Sequence, residues 1–229
     1  MAAYGREVSI MMPLGLGRAG APLSVLCLGA HSDDIEIGAG GTLLTLIAEG
    51  AKLDVLWCVM SGSATRKTEA ENAAQDFLAG AHSQRVEVMS FRDGSFPAQY
   101  EGMKAWFEDL KVRAKPDLIL THRRDDRHQD HREICQHTWS TFRNHTILEY
   151  EIPKWDGDIG QPNVYVPLRA GILDRKIELL MKHFGTQRSK AWFDQEVFRG
   201  LARIRGMECV ASERYVEAFV GRKIALSHL

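Results

Sequence analysis

The fold is decided by residues 23–34, which read Leu-Ser-Val-Leu-Cys-Leu-Gly-Ala-His-Ser-Asp-Asp. The run up to Ala30 is almost entirely apolar, as expected of a strand that is covered on both faces of a sheet. The imidazole of His31 and the carboxylates of Asp33 and Asp34 follow directly. Burying these ionisable groups costs several kcal/mol unless they have a partner, and a metal ion is a common partner.

Further apolar runs alternate with helical patterns along the chain. The predicted strands are residues 23–30, 53–60, 86–91 and 117–121, and the predicted helices between them are residues 40–49, 67–78 and 103–111. This order predicts an α/β fold with a doubly wound, mostly parallel, Rossmann-like sheet and helices on both faces. Extended and helical patterns over residues 147–220 predict a C-terminal appendage with an antiparallel edge. Gly38-Ala39-Gly40-Gly41 reads as a glycine-rich turn before the first helix.

Length and composition indicate one soluble domain, residues 23–229, after an N-terminal tail, residues 1–22. The net charge of −1 gives no reason to expect nucleic acid or an anionic membrane surface as a partner. No apolar run reaches the length of about 18 residues that a membrane span needs. The 4 cysteines are scattered without a C-x-x-C pair, which favours a reducing, cytoplasmic location.

Polar residues follow the end of each predicted strand. They are His31, Asp33 and Asp34 after the first strand, Arg66 after the second, Asp93 after the third, and His122 onward after the fourth. Ligands of such sheets bind beyond the carboxyl ends of the strands, so these side chains are expected along one edge. His122 itself is interpreted as structural, and Trp155 and Tyr165 as packing residues that could alternatively stack on a sugar ring.

Two clusters, His31-x-Asp33-Asp34 and His128-x-Asp130-His131, lie about 100 residues apart and would share that edge. Two histidines and one carboxylate with an open fourth position form a recurring catalytic zinc site. Zinc acidifies water and polarises a carbonyl, and a nearby carboxylate that does not bind the metal acts as general base. Neighbouring aspartates suit this division, because side chains diverge in an extended turn.

These motifs resemble the LmbE-like or PIG-L family of zinc-dependent N-acetylglucosamine deacetylases. The family motif A-H-P-D-D corresponds to residues 30–34, and its motif H-x-D-H to residues 128–131. The similarity extends over residues 23–220 and includes Gly40-Gly41-Thr42 and Glu217-Ala218-Phe219. The chain has Ser32 where the family usually has proline, and Asp126 where some members have a tyrosine.

The resemblance implies a role for each matching residue. Zn²⁺ would be held by His31, Asp34 and His131. Asp33 would be the general base, His128 would stabilise the oxyanion or protonate the leaving amine, and Asp130 would orient a histidine. Arg66 and Asp93 would contact the substrate. The expected partner is a small glycoconjugate or amino-sugar substrate, and a homo-oligomer would be in keeping with relatives, which often self-associate.

Two other functions remain open on the sequence alone. A metal-dependent phosphoesterase also uses aspartate and histidine clusters, and it would normally hold two metals about 4 Å apart. A non-catalytic nucleotide- or sugar-binding α/β protein could use the glycines of residues 38–41, although they lack the G-x-G-x-x-G spacing.

Overall fold

The computed structural model describes residues 15–16 and 21–225. Most of the predicted N-terminal tail, residues 1–22, lies outside these residues. Within them the chain forms a 7-stranded sheet in the order β3-β2-β1-β4-β5-β7-β6. The strands are β1 (Leu23–Gly29), β2 (Leu53–Val59), β3 (Ser83–Val88), β4 (Leu118–His122), β5 (Thr146–Tyr150), β6 (Val164–Leu168) and β7 (Tyr215–Gly221).

The sheet confirms the predicted class. Strands β1 to β5 pair with one another in parallel, because a helical crossover separates each of them from the next in the chain. Strand β7 pairs antiparallel with β5 and with β6, so the C-terminal segment forms the predicted antiparallel edge and completes the same sheet. Strand β3 begins and ends three residues earlier than the predicted range of 86–91.

Helices cover both faces of the sheet. They are α1 (Asp34–Ala48), α2 (Ala64–Phe77), α3 (Tyr100–Arg113), α4 (Gln129–Thr141), α5 (Ala170–His183) and α6 (Gln195–Glu208). One buried apolar cluster lies between the sheet and helices α1, α2, α5 and α6, and a second lies under α3 and α4. None of these helices, in the part of the chain that the structure describes, combines the length and apolarity that a membrane crossing requires.

The prediction of a glycine-rich turn at residues 38–41 is wrong, because these residues lie inside α1. The glycines serve packing: a β-carbon on Gly38 would overlap the ring of Tyr150, and one on Gly40 would overlap Phe77. The helix begins at Asp34, so residues 33 and 34 do not form the extended turn that was expected. Asp33 sits at the N-terminal cap with φ −112° and ψ −6°, and the two aspartates diverge because one precedes the helix and the other starts it.

The polar residues meet at the point of the sheet where the strand order reverses. Strand β1 lies between β2 and β4. After β1 the chain adds β2 and β3 on one side, and it then crosses back to add β4 and β5 on the other side. The crevice outside the carboxyl ends of two such strands is the usual ligand site of a doubly wound sheet. His31, Asp33 and Asp34 follow β1, and the start of α4 follows β4, so both predicted clusters open into this crevice.

Candidate metal centre

Three side chains converge at the crevice between β1 and β4. The Nδ1 atom of His31 lies 3.2 Å from Nε2 of His131 and 3.3 Å from Oδ2 of Asp34. Nε2 of His131 lies 3.5 Å from Oδ1 of Asp34. Ligand atoms about 2.0–2.1 Å from a tetrahedral zinc ion are about 3.3–3.4 Å apart. Each spacing is close to this value, with the two distances to Asp34 ending on different carboxylate oxygens, so His31, Asp34 and His131 are candidate ligands of one small cation.

The outer nitrogen of each imidazole faces a carboxylate. Nδ1 of His131 lies 3.0 Å from Oδ2 of Asp126. Nε2 of His31 lies 3.1 Å from Oδ1 of Asp93 and 3.3 Å from Oδ2 of Asp130. An outer N–H that donates to a carboxylate leaves the inner nitrogen with its lone pair, which is the tautomer that a metal ligand needs. This arrangement would suit both histidines to metal binding.

Burial and local charge set the protonation of this trio. Burial, together with the neighbouring His122, lowers the pKa of His131 to about 3 and keeps it neutral. Burial alone would raise the pKa of Asp34, but the imidazoles of His131, His122 and His31 outweigh it and hold that pKa well below its usual range. A neutral imidazole and an ionised carboxylate are the forms that bind a divalent cation.

His31 is subject to opposing effects. Its burial would lower its pKa, but the charge of Asp34 and hydrogen bonds to Asp130, Asp34 and Asp93 raise the pKa well above its usual value. The carboxylates around His31 thus favour positive charge at this point of the crevice. A divalent cation supplies that charge in place of the proton, so the donor set fits a metal ion.

Asp33 lies beside the trio without joining it. Its Oδ1 atom lies 3.0 Å from Nη2 of Arg66. Burial and then the charge of Asp34 raise the pKa of Asp33, and the guanidinium of Arg66 opposes this rise. Asp33, for which the role of base stays a prediction, is therefore paired with a residue that the sequence assigned to the substrate.

His128 and Asp130 lie beside His31 at the start of α4. The backbone N–H of Asp130 donates to Nδ1 of His128 at 3.3 Å, so the neutral imidazole carries its proton on Nε2. Burial and the nearby His31 lower the pKa of His128, which favours the neutral form over the imidazolium. The carboxylate of Asp130 accepts the N–H groups of Gly94 and Phe96 at 2.7 and 3.0 Å, and this fixes it against His31.

Arg66 and Asp93 line the same crevice, as predicted, but they are also paired with each other. Nη1 of Arg66 lies 3.4 Å from Oδ2 of Asp93. The bond of Asp93 to His31 lowers the pKa of Asp93 to about 2, and its side chain remains 57% exposed. Both residues therefore support the site from within and keep one side open to a ligand.

Three further residues belong to this network and were not predicted. His122 is fully buried, accepts the N–H of Ala30 at 3.0 Å and stacks on His131 with ring centroids 3.9 Å apart. Asp126 binds His131, and Nζ of Lys154 lies 3.0 Å from Oδ1 of Asp126. The position of His122 at the end of β4 was a usable signal, whereas nothing local marks Lys154, which comes from the loop after β5.

The cluster forms the floor of a cleft of about 150 Å³ that is open to solvent. The wall opposite β1 comes from the C-terminal loops and consists of Ile152, Lys154, Trp155, Asp156, Gln187, Lys190 and Trp192. Tyr165 does not line this cleft, since it lies on edge strand β6 and its hydroxyl donates to the carbonyl of Pro162 at 3.0 Å.

Residues 26–142 match the family model described as "PIG-L: GlcNAc-PI de-N-acetylase", which covers just over half of the chain. The match includes both histidine–aspartate motifs and ends before the C-terminal wall of the cleft. A relative from Escherichia coli (strain K12), "Uncharacterized deacetylase YaiS", is 29% identical over 180 residues, which cover 73% of this chain and 94% of the relative.

Solved structures with the same fold include two of different activity. The N,N'-diacetylchitobiose deacetylase from Pyrococcus horikoshii is 21% identical with a TM-score of 0.66, covering 87% of this chain and 83% of that one. GalB, the 4-carboxy-2-hydroxymuconate hydratase from Pseudomonas putida KT2440, is 16% identical with a TM-score of 0.69, covering 90% of this chain and 99% of that one. At these identities the likeness establishes the fold alone.

Proposed function

This chain belongs to the PIG-L family of GlcNAc-PI de-N-acetylases, and we propose that it is a zinc-dependent hydrolase that removes the N-acetyl group from an N-acetylglucosamine-type sugar or glycoconjugate. The observation that carries the proposal is the convergence of His31, Asp34 and His131 at spacings of 3.2 to 3.5 Å. The free carboxylate of Asp33 lies beside them at the floor of an open cleft.

The residues of the site divide the work of amide hydrolysis. When bound by His31, Asp34 and His131, zinc would acidify a water molecule and polarise the acetamide carbonyl. Asp33 takes a proton from the attacking water, and burial, which raises its pKa, suits it to this task. Arg66 holds Asp33 in place through one carboxylate oxygen, Oδ1.

His128 faces the charge that develops on the carbonyl oxygen. Its Nδ1 atom accepts the N–H of Asp130, so its Nε2–H is available as a hydrogen-bond donor. A neutral donor suffices to stabilise an oxyanion, and the lowered pKa of His128 favours this role over the alternative of proton delivery. As the new carbon–oxygen bond forms and the carbon–nitrogen bond breaks, the proton held by Asp33 passes to the nitrogen. The products are acetate and a free amine.

The test is release of acetate from a panel of N-acetylated sugars, with and without a chelator and with zinc added back. We expect release that the chelator abolishes and zinc restores. Asp33→Ala should keep one zinc per chain and lose hydrolysis. Loss of the metal from this variant would make Asp33 a ligand and refute its assignment as base.

Parallel assays with a phosphate ester and of sugar binding separate the other candidate functions. A phosphoesterase would release phosphate and hold two metals per chain. A binding protein would retain sugar without turnover. A hydratase such as GalB shares the fold, and it would add water to a carbon–carbon double bond without releasing acetate. The family match favours the deacetylase.

A further inference from the structure

The wall of the cleft carries an exposed indole that the chemistry of the metal centre does not use. Trp155 is 71% exposed, and it lies on the loop between β5 and β6. Its ring contacts that of Trp192 edge to face, with centroids 6.2 Å apart and an interplanar angle of 85°. Trp192 contacts Phe193, whose ring lies 5.7 Å away and is buried in the core. The exposed indole of Trp155 therefore packs against a side chain that is itself in contact with the core.

A buried glutamine lines the same cleft. Gln187 is 2% exposed, and its Oε1 atom has no hydrogen-bond partner among the described residues. Its Nε2 atom donates to Oγ1 of Thr186 at 3.1 Å, and Thr186 is itself held by Glu69, which accepts its N–H at 2.9 Å. Leaving a buried acceptor without a donor costs free energy, and a hydroxyl of a bound ligand would relieve that cost.

We propose that Trp155 and Gln187 form a subsite for a second sugar ring, joined to the ring whose acetamide lies at the metal centre. This rests on the deacetylase function proposed above. A pyranose presents a face of C–H groups and a rim of hydroxyls. An indole face beside one hydrogen-bond acceptor matches both parts of such a ring.

Trp155 provides the stacking face, since the face of Trp192 is partly covered. Nζ of Lys190 lies 5.6 Å from the centroid of the Trp192 ring. Trp192 is also less exposed than Trp155. Trp192 is thus a positioning residue, and Trp155 presents the open indole surface at the mouth of the cleft.

The charge distribution of this wall disfavours a lipid chain as the occupant. Asp156 and Lys190 line the cleft together with the indoles. An acyl chain gains free energy in proportion to the continuous apolar surface that it covers. These charged residues interrupt the apolar surface, whereas a sugar ring has polar groups that charged and amide side chains can meet.

The decisive experiment compares one-ring and two-ring substrates on the full-length zinc enzyme. We expect Trp155→Ala to lower kcat/KM for N,N'-diacetylchitobiose about fivefold to tenfold, the size of a single aromatic contact. For N-acetylglucosamine the change should stay within about twofold. Trp155→Phe should recover most of the loss. Trp106 lies on α3, far from the cleft, so Trp106→Ala should change kcat/KM for neither substrate.

Gln187 requires a variant that separates binding from folding. Gln187→Leu removes the unpaired acceptor Oε1 together with the bond from Nε2 to Thr186, so the two effects oppose each other and we expect only a small change in thermal stability. Its kcat/KM ratio for the two-ring over the one-ring substrate should still fall. A lower Tm with an unchanged ratio would mean that Gln187 is structural and would overturn its part in the subsite.

Tryptophan fluorescence during titration with N,N'-diacetylchitobiose distinguishes failure of the subsite from failure of the function. Binding that depends on Trp155 without acetate release would leave the subsite standing and refute the deacetylase. Acetate release that Trp155→Ala leaves unchanged for both sugars would refute the subsite alone. If Trp155→Ala lowered kcat/KM only for an octyl glycoside of N-acetylglucosamine, the wall would be assigned to an acyl chain. Absence of both sugar binding and acetate release would refute both proposals.

Discussion

The two sides of the cleft are built in different ways. Residues 23–142 supply the floor, where His31, Asp34 and His131 are each less than 10% exposed and hydrogen-bonded to other buried groups. The later residues supply the opposite wall, on loops where Trp155 is 71% exposed. The family model matches residues 26–142 and so includes the floor but not the wall.

This difference separates the reaction from the choice of substrate. A buried network of paired groups tolerates little change, because each loss leaves a neighbour unsatisfied. Exposed loop residues can change without such a cost. The floor is therefore suited to one reaction, while the wall can adapt to different substrates, and each side can be tested by variants with a matched partner on the other.

The largest effect is expected at the floor. His131→Ala removes an inner ligand atom, so the variant should lose its zinc and at least about a thousandfold in acetate release, since a bound cation is worth several kcal/mol to the transition state. Metal content per chain and kcat/KM measure the two losses. His183→Ala is the matched control in the later residues, where this histidine pairs with Asp76 at 2.8 Å. Full zinc content in His131→Ala would contradict the ligand assignment.

The next effect concerns the contact that joins the two sides. Glu217 on β7 accepts the N–H groups of Gly41 and Thr42 in α1 at 2.8 and 2.6 Å, and its Oε1 lies 2.6 Å from Nζ of Lys176. All of these groups are buried. Glu217→Ala leaves the ammonium of Lys176 unpaired, so we expect the free energy of unfolding to fall by about 3–5 kcal/mol.

Urea unfolding measures this loss. The control is Asp174→Ala, which removes an exposed partner of Arg199 at 2.8 Å and should cost about 0.2–1 kcal/mol. Zinc content of folded Glu217→Ala should stay at the wild-type level. If Glu217→Ala lowered the free energy of unfolding by no more than Asp174→Ala does, the two sides would not depend on this contact for their packing.

A smaller effect is expected one layer behind the ligands. Asp126→Asn keeps the size of the side chain and weakens the carboxylate bond to Nδ1 of His131, so zinc affinity should fall about 10–100-fold. Competition with a chromophoric chelator measures the affinity. Asp125→Asn is the control, because that neighbouring side chain is 79% exposed. Equal affinities for the two variants would show that Asp126 does not position the ligand.

The sequence predicted the floor better than the wall because the floor follows a rule of chain direction. Parallel strands bring their carboxyl ends to one edge, so His31 and His131 could be placed together although they are 100 residues apart. The helix start at Asp34 could not be read, since Gly38 and Gly40 suggest a turn until Tyr150 and Phe77 are seen against them.

The contacts of the wall depend on distances that no local pattern encodes. Lys154 reaches Asp126 from another loop, and Gln187 reaches the cleft from the far end of α5. Trp155 could be noted from the sequence as a residue able to stack on a sugar. Only the fold shows that it is exposed at the mouth of the cleft and is not part of the core.

The smallest effect tests whether the two sides differ in rigidity as well as in role. Cys27, Cys58 and Cys135 lie in the earlier residues and are fully buried, and burial raises the pKa of each thiol. Cys209 follows α6 and is partly exposed, and burial raises the pKa of its thiol as well, so it differs from the other three in access. Reaction with a thiol reagent requires both access and a thiolate.

We therefore expect Cys209 to react in the folded enzyme and the other three thiols only after denaturant is added, with no change in acetate release. Mass spectrometry of the labelled peptides gives the order of reaction, and Cys209→Ser is the control that should remove the fast phase. The labelling rate of Cys135 reports on the floor of the cleft, since Cys135 lies on α4 one turn after His131. Labelling of Cys135 as fast as Cys209 would mean that α4 opens locally, and the floor would then be no more rigid than the wall.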